Sequence, residues 1–120
     1  MRLNPECVRA VLLAVEDETD FSHVMQYRPP DKVNTALAGF THDEIIYHIR
    51  QCDASDLLVG VRYYDGGTNI IVKDLSPAGH EFIANTGIDA VWKKIKEKGF
   101  ASLPLIFEIA KHLAHEHYLG

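Results

Sequence analysis

The chain has 120 residues, a length typical of one globular domain. Hydrophobic residues make up 47% and charged residues 24%, a composition that excludes a disordered chain. Twelve Lys and Arg against 17 Asp and Glu give a net charge of -5. This balance argues against a broad surface for binding polyanions, but it leaves room for a small basic patch.

The cysteines and the N-terminal residues indicate in which cellular compartment the protein is expected. The N-terminus has no apolar region of a signal peptide, and the longest strongly apolar run, Val11 to Val15, is far short of the ~20 residues that cross a membrane. Cys7 and Cys52 fall on apolar helix faces, without CxxC or zinc-like spacing. We therefore expect reduced, buried thiols in a cytoplasmic protein, with no membrane association and no cofactor.

The first third of the chain predicts one clear helix. Asn4-Pro5 is typical of a helix start, and valine and leucine residues follow at helical spacing until the acidic run Glu16 to Glu18. Residues Phe21 to Tyr27 indicate a short strand. The stretch from Lys32 to Phe40 fits either a short helical turn or an edge strand that ends at Gly39.

The middle third predicts a helix followed by a β-hairpin. Thr41 and Glu44 have the spacing of a capping box, and the helix they open runs to about Asp53. Two segments rich in β-forming residues, 57–64 and 69–74, flank the turn signal Asp65-Gly66-Gly67-Thr68. This arrangement is typical of a hairpin.

The last third predicts three helices. Ser76-Pro77 starts one that ends at Asn85–Gly87, Asp89 caps one that runs through Lys98, and Ser102 caps the last. We expect one domain, with a core in residues 1–87 and C-terminal helices in residues 88–120. The order of elements favours an α+β, winged-helix-like fold with a helical C-terminal extension, although other small α+β folds share this order.

Three stretches resemble a known family. They are Gly39–Ile49, with its Gly-Phe-Thr cap and Tyr47-His48, then Leu75–Ile83, which contains Gly79-His80-Glu81-Phe82, and Val91–Lys96, which is followed by 99–103. Together with the first helix they resemble the prophage-associated domain-of-unknown-function family twenty-five thirteen, small bacterial and phage proteins, over nearly the whole chain. The resemblance implies a winged-helix-like fold and a phage-derived origin, and it implies no activity.

The chain departs from the family pattern after Tyr47-His48. Gln51 and Cys52 stand where the family has two leucines, and Ser55-Asp56-Leu57-Leu58 stands where it has Ala-Gly-Leu-Ile. Asp56 thus replaces a glycine at a helix C-terminus. Since aspartate tolerates the left-handed backbone conformation better than most residues, we expect the fold to keep this turn.

The leading functional hypothesis is a prophage-type regulatory protein that binds DNA. In a winged helix the second helix of the helix-turn-helix enters the major groove and the hairpin contacts the backbone. The candidate residues on the reading helix are Tyr47, Arg50 and Gln51, and those on the hairpin are Arg62 and Lys73.

Local charge supports the alternative, an acidic adaptor that binds a host or phage protein and no DNA. Residues 41–74 contain six Asp or Glu and three Lys or Arg, a net charge of -3. Asp43 and Glu44 occupy the N-terminus of the reading helix, where they either oppose DNA or merely complement the helix dipole. Between the first predicted helix and Gly39, no segment is a clear first helix of a helix-turn-helix.

Two features nearer the C-terminus are further candidates for binding. Lys93, Lys94 and Lys96 belong to a basic segment that could contact phosphate or an acidic partner, or could be a solvated helix face. The last helix has an apolar stripe with Ile106, Ile109 and Leu113, which either packs on the core or pairs with a second copy, as a homodimer, or with a host protein.

Histidines offer weak candidates for chemistry. His112, His115 and His117 cluster near the C-terminus, but no fourth ligand pattern and no HExxH accompany them, so surface histidines are the alternative to a metal site. His48 and His80 lie in the family-like stretches, and we expect both to be packed residues. No catalytic constellation stands out, so we expect a non-enzymatic protein.

Overall fold

Five α-helices and two small antiparallel sheets make up the computed structural model, which describes residues 1–29, 34–98 and 102–119. The predicted α+β class is confirmed. The helices are α1 (Pro5–Glu18), α2 (His42–Ala54), α3 (Pro77–Thr86), α4 (Asp89–Lys98) and α5 (Leu103–Leu119). The strands are β1 (Met25–Tyr27), β2 (Leu58–Val59), β3 (Arg62–Tyr64), β4 (Asn69–Val72) and β5 (Asp74–Leu75).

Side-chain caps start three of the helices where the sequence predicts them. The Asn4 carboxamide oxygen accepts from the Glu6 N–H at 3.0 Å, and the Ser76 hydroxyl accepts from the Gly79 N–H at 3.0 Å. Thr41 and Glu44 form the reciprocal capping box, with both bonds at 3.2 Å. These bonds satisfy backbone donors that a helix start leaves free.

The last two helices test the other predicted caps. The Ser102 hydroxyl accepts from the Leu105 N–H at 3.4 Å, so this predicted cap is confirmed. The prediction for Asp89 is wrong, because Asp89 is the first residue of α4 and the carbonyl of Ile88 accepts from the Trp92 N–H at 3.0 Å. Ile88, and not Asp89, therefore occupies the capping position of α4.

The predicted hairpin is confirmed, but it forms two ladders. β3 and β4 pair antiparallel around a 3₁₀ turn at Asp65–Gly67, and β2 pairs separately with β5. Gly60, with φ +63°, separates the ladders, and a Cβ there would lie 2.6 Å from the Lys73 Cβ. The positive φ and the close approach of Lys73 both favour glycine at this position.

β1 joins the hairpin to give a three-stranded sheet in the order β1–β4–β3. The predicted strand over Phe21 to Tyr27 is too long, because residues before Met25 fold into a turn around Asp20. In the ambiguous stretch Lys32 to Phe40, the described part forms a 3₁₀ helix at Thr35–Leu37, and residues 32 and 33 lie outside the described residues.

Two backbone positions after α2 explain parts of the family-like pattern. Asp56 adopts φ +59°, so the expectation that aspartate would keep the left-handed turn is confirmed. Gly79 is buried, and a Cβ there would lie 2.2 Å from the carbonyl oxygen of Leu57. A glycine is therefore needed where α3 packs against the backbone of Leu57, the residue before β2.

One hydrophobic core joins all the helices. α1 lies at its centre and packs against α2, α3, α4 and the 3₁₀ helix. Buried residues of α4 and α5 belong to the same cluster, among them Val91, Ile95, Leu103, Ile106 and Ala110. Among the described helices, none is both long and apolar enough to cross a membrane.

Candidate functional site

The residues predicted to contact DNA are divided between three surfaces. Tyr47 and Gln51, both half-buried, and the exposed Arg50 lie on α2. Arg62 and Lys73 are exposed on the hairpin. The three lysines Lys93, Lys94 and Lys96 are exposed on α4.

Arg50 packs against the hairpin. Its guanidinium lies 4.8 Å from the centre of the Tyr63 ring, a cation–π contact. The same guanidinium lies close to Gly67, where a Cβ would come within 2.0 Å of its Nη2 atom. We call this arrangement of Arg50, Tyr63 and Gly67 the Arg50–Tyr63 contact. Arg50, the one Lys or Arg in α2, is therefore in contact with the hairpin of its own chain.

A hydrogen bond strengthens the same junction. The Tyr63 hydroxyl donates to Asp53 Oδ2 at 2.7 Å. Burial first, and then this bond to Asp53, raise the pKa of Tyr63 to about 12, so the phenol keeps its proton at neutral pH. The C-terminal half of α2 and strand β3 are therefore joined by a stacked cation and a charge-assisted hydrogen bond.

The solvent face of the three-stranded sheet has a different composition. Residues that pair directly point to the same side of a sheet, and the buried residues of β1 and β4 are Met25, Tyr27, Ile70 and Val72. The other side carries what we call the sheet face, which consists of Gln26, Arg62, Tyr64, Asn69 and Ile71.

Polar contacts and exposure define the sheet face. The Gln26 amide donates to the Asn69 side-chain oxygen at 3.0 Å, across β1 and β4. Tyr64 is 44% exposed, Arg62 is exposed and Ile71 is half-buried between them and β1. An aromatic ring, a guanidinium and an aliphatic side chain therefore lie together on a surface that is open to solvent.

Trp92 forms the centre of a groove between α1, α4 and the residues before α2. The guanidinium of Arg9 lies 5.2 Å and the ammonium of Lys96 5.7 Å from the centre of its ring. Arg9 also donates through Nε to the Thr86 hydroxyl at 3.3 Å. We call this feature the Trp92 groove, lined by Glu6, Arg9, Ala10, Leu13, Ala36, Phe40, Trp92 and Lys96.

His48 is a packed residue, as predicted. Its side chain is buried, its Nε2 accepts from the Asn4 N–H at 2.8 Å, and its Nδ1 donates to the Glu44 carbonyl at 2.7 Å. Burial lowers the pKa of His48, although the Glu44 carbonyl opposes this shift. The prediction for His80 is wrong, because its side chain points into solvent from the first turns of α3.

The cysteines are free and buried, as predicted. Burial, and then the charge of Glu44, raise the pKa of Cys7 to about 12, and burial also raises the pKa of Cys52. Both thiols are therefore protonated at neutral pH and are poor nucleophiles.

The C-terminal histidines lie on the exposed side of α5. His112 Nε2 is 3.1 Å from Glu116 Oε1, and the ring of His117 packs edge-on against Tyr118. Across residues 1–29, 34–98 and 102–119, no group of three His, Cys, Asp or Glu side chains is placed to hold a metal ion. In the predicted dimer stripe of the same helix, Ile106 is buried and Leu113 half-buried against the core.

Several residues of these surfaces were not singled out from the sequence. In the sequence, Tyr63 is only part of a strand pattern and Gly67 only part of a turn pattern. Arg9 and Trp92 are 83 positions apart, and no local pattern links them. Their roles depend on which elements pack together, which single-sequence periodicity does not specify.

One family model matches the chain. It is described as Hypothetical protein (DUF2513), and it matches residues 2–101. The match includes α1 to α4 and all five strands, and α5 lies beyond it. No curated protein and no solved structure matches the chain.

Proposed function

The chain belongs to the family described as Hypothetical protein (DUF2513), and we propose that it is a winged-helix module that binds another protein through its sheet face. The order α1, β1, 3₁₀ helix, α2, β3, β4 and the strand order β1–β4–β3 support the winged-helix assignment. In a winged helix the strand after the first helix pairs with the second strand of the hairpin, as β1 pairs with β4 here.

The state of Arg50 argues against DNA as the partner. A winged helix that reads DNA inserts its second helix of the helix-turn-helix into the major groove, and here that helix is α2. The single Lys or Arg of α2 packs on Tyr63 and Gly67, while exposed Asp43 occupies the first turn. Since phosphate contacts supply most non-specific affinity, a reading helix with this charge binds DNA poorly.

The composition of the sheet face is the observation that carries the proposal. Exposed Tyr64 and Arg62 flank half-buried Ile71, and tyrosine and arginine are enriched in the energetically important centres of protein interfaces. Both neighbours of β4 are edge strands of this sheet, and edge strands are positions at which a partner protein can add a strand.

We expect a partner protein of the host or of a phage, met in the cytoplasm, where the two thiols remain reduced. We further expect binding without catalysis. Burial is the main cause that raises the pKa values of Cys7, Tyr27, Cys52 and Tyr63. All four groups therefore keep their protons at neutral pH, and none of them is an activated nucleophile.

The DNA alternative is tested by mobility shift. We expect no shift of random duplex DNA by the wild-type protein at about 50 mM salt, where counterion release favours binding most. A salt-dependent shift that weakens when Arg62 and Lys73 are both replaced by alanine would overturn the proposal in favour of DNA.

The protein-binding role is tested with matched exposed tyrosines. Tyr64→Ser changes the sheet face, whereas Tyr118→Ser changes an aromatic side chain of α5 that is 79% exposed. We expect a host or phage protein that is captured by the wild type and by Tyr118→Ser to be lost with Tyr64→Ser. Equal capture by all three proteins would show that the sheet face is not the binding surface.

A further inference from the structure

A tight turn presents Phe21 to solvent beyond the end of α1. Asp20 Oδ1 accepts from the N–H groups of Ser22 and His23, each at 2.8 Å, and the His23 ring lies 2.8 Å from the same oxygen. The Asp20 N–H donates to the His23 carbonyl at 3.2 Å and closes the turn. The Phe21 side chain at its tip is fully exposed, at 107% of its reference area.

We call residues Asp20–His23 the Phe21 turn, and most of the residues directly before it in the chain are acidic. Glu16, Asp17, Glu18 and Asp20 are all exposed, and residues 16–20 contain no Lys or Arg. The His23–Asp20 bond lowers the pKa of Asp20, so its carboxylate is charged at neutral pH. A large aromatic side chain thus stands out from a group of four carboxylates.

The Trp92 groove has the complementary properties. Its floor includes the half-buried side chains of Leu13, Ala36, Phe40 and Trp92. Its rim carries Arg9 and Lys96, opposed only by Glu6 among the lining residues, and the adjoining segment 93–98 contains four lysines and one glutamate. The groove is therefore apolar inside and basic outside, in a chain whose net charge is -5.

We infer that the protein associates with a second copy of itself, head to tail, by placing Phe21 of one copy in the Trp92 groove of the next. The full exposure of Phe21 means that it does not occupy the groove of its own chain. The carboxylates around the Phe21 turn match the cations at the groove, which orients the encounter. The turn is already closed by its own hydrogen bonds, so little conformational freedom is lost on binding.

The arrangement has a defined assembly type and strength. Each copy uses two different surfaces, so the contact is heterologous and chains can grow beyond a dimer. An interface centred on one side chain buries less than the roughly 1,200 Å² of a stable complex, so the association is weak and sensitive to salt. The inference is independent of the proposed function, because neither the turn nor the groove belongs to the sheet face.

Sedimentation equilibrium of the 120-residue chain tests the inference. At low salt we expect the weight-average mass to rise with concentration up to about 1 mM, to exceed that of a dimer, and to fall when salt is added. Phe21→Ser and Lys96→Glu each change an exposed side chain, and we expect each variant alone to be monomeric. Circular dichroism confirms that both variants remain folded.

Mixing the two variants is the decisive arm. The Phe21→Ser protein keeps an intact groove and the Lys96→Glu protein keeps an intact turn, so we expect the mixture to form one-to-one dimers and nothing larger. The control variants Tyr118→Ser and Lys111→Glu alter an exposed aromatic and an exposed cation of α5, and they should associate as the wild type does. A monomeric wild type, wild-type association in either test variant, or a mixture without dimers would each overturn the inference.

Discussion

His48 connects the start of α1 to α2 through both nitrogens of its ring. The N–H of Asn4, the capping residue of α1, donates to Nε2, and Nδ1 donates to the Glu44 carbonyl one turn earlier in α2. Both bonds require the neutral imidazole, with its proton on Nδ1. Since the ring is buried, protonation would break the Asn4 bond and place a charge in the core.

The lowered pKa of His48 predicts a loss of stability on acidification. In the unfolded chain the imidazole binds a proton near its ordinary pKa of 6.5, but in the folded protein it resists protonation to lower pH. The contribution of His48 is therefore complete above about pH 6.5 and decreases as the pH falls toward the lowered value. Thermal melts between pH 7.5 and 5.5 measure this slope.

Replacing the side chain should remove that slope. We expect His48→Gln to cost about 1–3 kcal/mol at pH 7.5, because the half-buried N–H of Asn4 loses its ring acceptor, and to flatten the dependence of the melting temperature on pH. The exposed His80→Gln is the matched control and should leave both stability and slope unchanged. Parallel pH profiles of wild type and His48→Gln would contradict this role.

At the scale of elements, the position of the hairpin relative to α2 depends on a small set of polar and aromatic contacts. Arg50 stacks on Tyr63, and Tyr63 donates to Asp53, so α2 and β3 are joined at two points. Gly67 has φ +93° and lies under the guanidinium, where any larger residue would meet Nη2. Glycine at position 67 thus allows both the positive φ of the turn and the close approach of Arg50.

A double-mutant cycle measures the Arg50–Tyr63 contact. We expect Arg50→Ala and Tyr63→Ala to be coupled by about 0.5–1 kcal/mol in urea denaturation, the magnitude of an exposed cation–π pair. Tyr63→Phe keeps the ring and removes the Asp53 bond, so it should retain the coupling to Arg50 while lowering stability. Additive effects of the two alanine substitutions would show that Arg50 is not bound to the hairpin and remains available to a ligand.

At the scale of the whole molecule, the C-terminal helices complete the core. Val91 and Ile95 of α4 and Leu103 and Ile106 of α5 are buried in the same cluster as the residues of α1 and the sheet. α5 packs on α3 and α4, and the rings of Phe82 and Phe107 stack with their centres 6.3 Å apart. The division into a core over residues 1–87 and C-terminal helices therefore falls within a continuous packed region.

This packing predicts that residues 1–87 do not fold alone. Each buried aliphatic side chain contributes about 1.5–3 kcal/mol to the free energy of unfolding. The loss of several such side chains is therefore comparable to the whole free energy of unfolding of a domain, roughly 5–15 kcal/mol. We expect the fragment to lack a cooperative thermal transition and the full chain to show a single one. A fragment that melts cooperatively, with dispersed amide resonances, would establish an autonomous core in residues 1–87.

The sequence by itself determined the local features of this protein. The caps at Asn4, Thr41 and Ser76 join atoms two or three residues apart, so their signals lie within one turn of chain. The α+β class, the hairpin around Asp65–Gly67 and the burial of both cysteines follow from similarly short patterns of turn residues and apolar periodicity. The family-like stretches are continuous segments of sequence, so they are identified without knowledge of the fold.

Only the tertiary structure decided which surfaces those elements form. β1 pairs with β4, and the bond between Gln26 and Asn69 of these strands joins residues that are 43 positions apart in the sequence. Arg9 and Trp92, which also contact each other, are 83 positions apart. Arg50 had the pattern of an outward-facing helix residue, and its contact with Tyr63 depends on where the hairpin packs. Phe21 had the pattern of a strand residue, and the Asp20 hydrogen bonds place it in a turn. Non-local packing sets these positions, and a single sequence does not specify that packing.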